Sequence, residues 1–440
     1  MRSGDDAARP WLLRRVTVAG ELVDCRLADG VIAAIGPELL VEQGETVFNA
    51  DGGALLPGLA DHHVHLFASA AAAGSLDLGG GPIAQAPDDP GTGWLRVIGC
   101  GDEPDRRALD RRWPHRPVRV QHRSGATWTL NTVAIGRLAD GLSSEERRTG
   151  VLWRSDTRLR RLLRTSIDPD ALAGLGARLA GYGLTQLTDA TPDLDARALA
   201  TLRAALPQHV ASLGPADATM PAKIVVADSE LPTLDALTAG VRDHHEAGCA
   251  VAIHAVSAVA LALTIAALRG AGAVPGDRIE HAAVCDDSAA DQLAQLHVVV
   301  VTQPGLAVRH GARYLADSEP AERPGLWRYA GLLRAGVSVA VSSDAPYGPP
   351  DPWATIRAAT TRRLDDGAPI GAPEAVPPET ALATMLTEPR SPAGPARPIA
   401  VGAPADLCVL RRPVREALAQ VVDDGGNPVA ATFVAGVRRA

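Results

Sequence analysis

Lysine is nearly missing from this chain of 440 residues: among 43 basic residues, Lys223 is the one lysine. A guanidinium cannot replace an amine that must lose its proton to react, so Lys223 is either an accidental surface residue at a strand start or a chemically required amine. Aromatic residues are also scarce, at 3%, which argues against an extended aromatic-lined groove for a polymer and favours a compact small-molecule substrate. The five cysteines, Cys25, Cys100, Cys249, Cys285 and Cys408, include no pair at close metal-binding spacing, so reduced, mostly buried thiols and a cytoplasmic location are expected. Basic stripes are missing as well. With a net charge of -8, neither nucleic acid nor an anionic membrane is the expected partner. Residues Met1 to Pro10 carry acids and no long apolar run, so export is not expected. One long stretch without Asp, Glu, Lys or Arg, Cys249 to Leu268, contains His254, Ser257 and Thr264 and reads as a strand ending at His254 followed by a buried Ala/Leu helix rather than a membrane span.

What is present is ample apolar material, 46% of the chain, in short β-like runs that alternate with Ala/Leu/Arg-rich helical stretches. That alternation predicts βα units and a parallel sheet. Eight strands are expected, at Ala54 to Leu59, Leu95 to Cys100, Leu184 to Thr188, Lys223 to Val226, Ala250 to Ile253, Arg278 to Glu280, Val298 to Val301 and Val337 to Val341. Eight is the number of strands in an α/β barrel, and such a barrel plus a small satellite would use up this length. The fold class expected is therefore α/β, a (β/α)8 TIM-like barrel over residues 54–395. Short β-like runs at both ends, 1–53 and 396–440, are expected to meet in a small β-sandwich. Residues 79–93 and 347–352 read as loops, rich in Gly, Pro and Asp or dense in Pro.

The first barrel strand runs into Asp61-His62-His63-Val64-His65. Side chains alternate along a strand, so His63 and His65 share a face and can grip one metal ion. Asp61 lies on that face too, placed to orient a ligating histidine or to join the ligands. Alone, a His-x-His at a strand end is equally well a polar cluster that needs no metal. Three further groups close predicted strands: His254, His281 and, through Ser342 and Ser343, Asp344. The carboxyl ends of all strands of a βα barrel face one mouth. His63, His65, Lys223, His254, His281 and Asp344 are thus expected to converge there. His62 faces the other way, toward packing; His244 and His245 read as a solvated helix face; His115, His209 and His310 sit in polar surroundings, and His297 begins a strand at the opposite end.

These residues carry a resemblance. Pro57 to Leu66, Arg278 to Ala282, Gly336 to Pro346 and the tail Gly402 to Leu407 resemble the amidohydrolase superfamily, in particular amidohydrolase family 3 with its formamide deformylase-like members. Arg119 to Ala134, with His122, Arg123, Ser124, Gly125, Trp128 and Asn131, is similar to that branch's segment before its third strand. The resemblance spans nearly the whole chain.

The resemblance implies a metal-dependent hydrolase of carbon–nitrogen bonds other than peptide bonds, with one or two divalent ions at the barrel mouth. Zinc is the expected ion, with iron or manganese as alternatives. His63, His65 and Asp344 would hold one ion, and His254 and His281 a second or a water. Lys223 would match the position of a carboxylated lysine that bridges two metals. Asp344 and His281 are the expected catalytic residues, Asp344 as general base, and His122, Arg123 and Trp128 the expected substrate contacts. Asp228-Ser229 stands where an Asp-Gly pair is usual, and Ser257 where a glycine commonly follows the fifth-strand histidine. The expected reaction is hydrolysis of a small amide, formamide or cyclic amide. The alternatives are deamination of a heterocyclic amidine and a barrel that binds a ligand without turnover. Dimers are the commonest closed assemblies, which leaves a homodimer open.

Overall fold

The computed structural model describes residues 9–87, 91, 93–122, 127–153, 155–163, 169–364 and 366–440. They fall into two compact units, one running to Leu66 and resuming over Gly176–Ala440, the other Phe67–Leu175.

In the first unit, the chain ends build two four-stranded sheets. One holds Trp11–Val18, Glu21–Ala28, Val31–Gly36 and Thr46–Asn49; the other holds Leu55–Pro57, Leu407–Leu410, Val429–Val434 and Val437–Arg438. Their alternating apolar residues share one core, in which Leu13, Val16 and Leu27 meet Leu407, Val409 and Phe433, as facing sheets require. Trp11 packs edge-on against Phe433 at 5.4 Å between ring centres, which ties the first strand to the last segment.

The first strand expected for the barrel, Ala54 to Leu59, is divided by this arrangement. Leu55–Pro57 pairs antiparallel with Leu407–Leu410 in the small domain, and the barrel strand starts afresh at Leu59. Gly58 is the joint. A Cβ there would stand 2.1 Å from Thr185 Cγ2, so no larger residue fits without displacing the neighbouring strand.

The barrel strands are β1 Leu59–Val64, β2 Leu184–Asp189, β3 His209–Ser212, β4 Ala222–Val225, β5 Val251–Ala255, β6 Arg278–His281, β7 Val299–Thr302 and β8 Ser338–Val341. Strands β1, β2 and β3 pair in parallel, as do β4 through β8. Two seams close the circle. Lys223 N donates to Leu213 O at 2.8 Å where β4 meets the end of β3, while Asp344 N donates to His63 O and His65 N to Ala345 O, each at 2.8 Å, where the exit of β8 meets β1.

Two expectations change here. Leu95–Cys100 is a strand, but it belongs to the other unit, in a sheet with Leu76–Asp77, Val118–His122, Thr127–Leu130 and Val151–Trp153. The strand that takes its place in the barrel is β3, which carries no long apolar run and is followed over 213–221 by a loop without a helix. A missing crossover helix removes the βα signal on which a sequence reading depends. Cys249 to Leu268 does divide into β5 and the helix Ala258–Ala271, and among the described residues no helix is long and apolar enough to cross a membrane.

The unit Phe67–Leu175 lies within the stretch expected for the barrel and has its own apolar cores, one around Val97, Leu109 and Val120 and one around Trp128, Leu130 and Leu152. Asn131 anchors it. Its Oδ1 accepts from Val118 N at 3.0 Å and Ala134 N at 2.9 Å, and its Nδ2 donates to Trp113 O at 3.0 Å and Arg116 O at 2.8 Å.

Phe433 is fully buried where the two end sheets meet. Phe433→Ala should therefore lower stability by about 3–5 kcal/mol, with Phe433→Leu costing less. Urea unfolding followed by circular dichroism measures this; a Phe433→Ala midpoint equal to that of the parent would show that the sandwich core does not hold the chain ends.

Candidate metal centre

Parity along β1 sorts its polar residues. His62 points away from the barrel axis, where its Nε2–H donates to Thr384 O at 2.8 Å. His63 and Asp61 point inward, as alternation requires. Asp61 is neither a ligand nor a partner of a ring: Oδ1 accepts from His63 N at 3.2 Å and Ser343 N at 3.1 Å, and Oδ2 accepts from Ser343 Oγ at 2.5 Å. The expectation that it would orient a histidine is replaced by another task, holding the exit of β8 against β1. Burial pushes its pKa up to about 6 despite these bonds.

Six side chains from five strands and their exits come together. The ligand atoms of His63, His281 and Asp344 lie within 4.8 Å of one another, all buried. His63 Nε2 is 3.5 Å and His65 Nε2 3.3 Å from Asp344 Oδ1. The His254 and His281 rings are 4.5 Å apart, and those of His63 and His281 4.9 Å. Lys223 starts from the second residue of β4, and its long stem carries Nζ to 3.5 Å from His63 Nε2.

Two residues that sequence reading did not single out set the direction of the rings. His63 Nδ1–H donates to Glu280, whose other oxygen accepts from Arg278 Nε at 2.5 Å. His281 Nδ1–H donates to Gln303 Oε1 at 2.7 Å. The Gln303 amide is fixed in turn, because its Nε2 donates to Val301 O and Ser342 Oγ, each at 3.0 Å. Each bond holds the tautomer that leaves Nε2 without a proton and directed to the cluster, as in metal sites with carboxylate- or amide-supported histidines. Glu280 and His281 are adjacent and would point to opposite faces of a regular strand. The φ of 77° at His281 breaks the alternation, so that both reach His63. Glu280 was legible in principle: Arg278-Ile279-Glu280 puts two charges in a strand with buried flanks, and such charges are almost always paired.

Electrostatics prepare the cluster for a cation. Burial drives the pKa of His63 well below its usual value, with Lys223 adding to the effect, and burial does the same at His281, with His254 adding to it. Burial brings His254 to about 4. The His63, His254 and His281 rings are therefore neutral at neutral pH, the form in which imidazole binds metal. Burial alone would raise the pKa of Glu280, yet Arg278, His63 and Lys223 pull it well below the usual range. At Asp344 burial is likewise outweighed, by His65, His281 and Lys223. Asp344 Oδ1 is buried and accepts no hydrogen bond. A buried carboxylate oxygen left over beside the neutral His63 and His281 rings fits a divalent ion, which would supply the missing partner.

The remaining expected site residues lie in the other unit or outside the described residues. His122 ends Val118–His122. Trp128 is buried, with the Arg96 and Arg119 guanidinium groups each 5.5 Å from its ring centre. Arg123 falls outside the described residues. Of the histidines given little weight, His245 is not solvated: its Nε2 is 3.0 Å from Asp277 Oδ1. His209 pairs with Asp406 at 3.0 Å.

Residues 46–439 match the sequence profile of the amidohydrolase family. The chain belongs to the amidohydrolase family. Over 139 residues, 31% of this chain, it is 32% identical to the N-substituted formamide deformylase of Arthrobacter pascens, and the match covers 26% of that protein. Over 47 residues it is 49% identical to the dihydroorotase of Mycobacterium tuberculosis, covering 11% of each chain. The chain thus matches well under two thirds of the length of these curated relatives. The crystal structure of an uncharacterized metal-dependent hydrolase from Pyrococcus furiosus superposes with a TM-score of 0.67 at 18% identity, covering 91% of this chain and 98% of that one. At that identity the likeness bears on the fold, and the fold it shares is the amidohydrolase barrel with its small end-built domain.

Glu280→Gln removes the charge that holds the His63 ring. It should weaken divalent-metal binding by about 10–100-fold, read by calorimetric titration of the apo protein with zinc. Unchanged affinity would separate Glu280 from the metal centre.

Proposed function

We propose that this amidohydrolase cleaves a carbon–nitrogen bond of a small amide, formamide or cyclic amide, using water and a divalent metal held by His63, His65, His254, His281, Asp344 and Lys223. The observation that carries the reading is Asp344 Oδ1, a buried and unbonded carboxylate oxygen within reach of His63 and His65. The donor set of imidazoles and carboxylate suits zinc, with iron or manganese as alternatives. When bound, such an ion lowers the pKa of water from 15.7 to roughly 7 and polarises a carbonyl.

The chain's own residues supply the rest. Asp344 is held below the usual carboxylate range, so it is ionised and able to accept the proton of the attacking water. Asp344 then returns that proton to the leaving nitrogen, which separates from the carbonyl carbon as a neutral amine. His281, fixed by Gln303, presents an unprotonated Nε2 toward the cluster, where it would hold the ion or accept a hydrogen bond from the attacking water. Lys223 is pushed down to about 8, chiefly by burial, so a fraction of it is neutral amine at neutral pH. Carboxylation requires that form, and a carboxylated Lys223 would add an anionic oxygen to the ligands. A formamide or cyclic amide substrate agrees with the activities named for the two curated relatives.

A panel of small formamides, linear amides and cyclic amides tests this with the zinc-loaded protein, scoring amine, ammonia and acid release. Amine or ring-opened product is expected. Ammonia from an amidine heterocycle with no amide turnover would favour the deaminase reading instead. Asp344→Asn should lower kcat by about 10²–10⁴-fold; turnover at the parent rate would remove Asp344 from the proton transfer.

A further inference from the structure

Glu280 aims the His63 ring and Gln303 the His281 ring. His65, one residue past the end of β1, takes its neighbours from a different strand. β2 ends in Asp189, a fully buried carboxylate that has no part in the hydrolysis described above. The successive residues Asp189, Ala190 and Thr191 meet the successive residues Val64, His65 and Leu66 of the β1 exit. Ala190 N donates to Val64 O at 2.9 Å. Thr191 Oγ1 stands 3.4 Å from His65 Nδ1, and Asp189 Oδ2 accepts from Leu66 N at 2.8 Å.

This clip is anchored on its own side. Asp189 Oδ1 accepts from Thr191 N at 2.9 Å, which folds the chain back at the end of β2. Asp189 O accepts from Leu213 N at 2.9 Å, which fastens the same residue to the end of β3. Each carboxylate oxygen thus accepts from one backbone N–H, one on each strand exit. A neutral amide in this place would keep one of these bonds and turn its NH2 against the other N–H. From the far side, His65 N donates to Ala345 O at 2.8 Å, so β8 fixes the backbone of His65 while its ring faces Thr191. Asp344 Oδ1 accepts no hydrogen bond although His65 Nε2 is 3.3 Å away. The other place for the proton of a neutral His65 ring is Nδ1, toward Thr191.

We infer that Asp189 and Thr191 are positioning residues that aim His65: the Thr191 hydroxyl accepts the Nδ1 proton and leaves Nε2 open toward Asp344, while Asp189 holds Thr191 and the β1 exit in register. The inference rests on the proposed divalent metal for its effect on binding. A partner on the second ring nitrogen fixes tautomer and ring orientation before an ion arrives, and its loss weakens metal affinity. At 3.4 Å the Thr191 contact is longer than the 2.7 Å bond from His281 to Gln303, so its removal has an effect at the low end of that range. Both residues act through His65 and carry no step of the reaction.

The test uses the full chain and two readouts. Calorimetric titration of the metal-free protein gives its zinc affinity. NMR of the histidine ring nitrogens at about pH 8, above the usual histidine range, gives the protonated nitrogen of His65, with His65→Gln identifying its signals. The parent should carry the His65 proton at Nδ1. Thr191→Val, which keeps the shape and removes the hydroxyl, should lose that preference and weaken zinc binding by about tenfold, and Thr191→Ser should restore both. Asp189→Asn should weaken binding by a similar factor; if it does not fold, the Thr191 pair carries the test. A parent His65 protonated at Nε2 would overturn the inference. So would a loss that Thr191→Ser does not restore, because it would assign the effect to packing. If the parent binds no zinc while the His65 proton follows the Thr191 hydroxyl, the metal reading fails and the positioning role stands. If zinc binds equally well to every variant, the metal reading stands and the positioning role fails.

Discussion

The seam between β8 and β1 is the constraint on which the rest depends. Asp344 N bonds to His63 O and His65 N to Ala345 O, so the last strand is fastened to the first at the level of the site. Asp61 reinforces the seam from below through Ser343. Without it, Asp344 and the His63–His65 pair would be separated by the whole circumference of an open sheet. With it, they lie within 3.5 Å, and residues nearly 300 positions apart act as one group.

Inside that closed ring, charge has to be managed. Arg278 and Glu280 are both fully buried and bonded to each other, and Glu280 passes its charge to His63. A buried ion pair offers weak stability at best, since desolvation offsets much of its attraction. Its worth here is directional: it fixes which nitrogen of His63 carries the proton. Gln303 does the same for His281 without a charge. The His63 and His281 rings are therefore held in one orientation and one tautomer before any ligand arrives, which lowers the reorganisation a bound ion would require.

The barrel was largely legible because apolar strand runs alternate with helical stretches, and because polar residues at run ends stand out against buried flanks. His63, His65, His254, His281 and Asp344 were each visible as such exceptions, and Lys223 by its singularity. The reading failed where the local pattern was ambiguous. Leu95–Cys100 has a strand's composition, and nothing local says which sheet it joins. His209–Ser212 has too few apolar residues to announce itself. Leu55–Pro57 and β1 read as one run because a single glycine separates the two sheets they enter.

The chain's own pattern determined that there would be a barrel, that its ends would meet in a small sandwich, and which side chains could carry chemistry, since periodicity and burial are local properties of neighbouring residues. Tertiary structure alone decided which strands close the ring, that Glu280 and Gln303 orient the histidines, that Asp61 serves the seam, and that the exit of β2 meets the exit of β1 beside His65. Those are relations between residues distant in sequence, and only the folded backbone, with its left-handed turns at His281 and Asp344, brings them within contact distance.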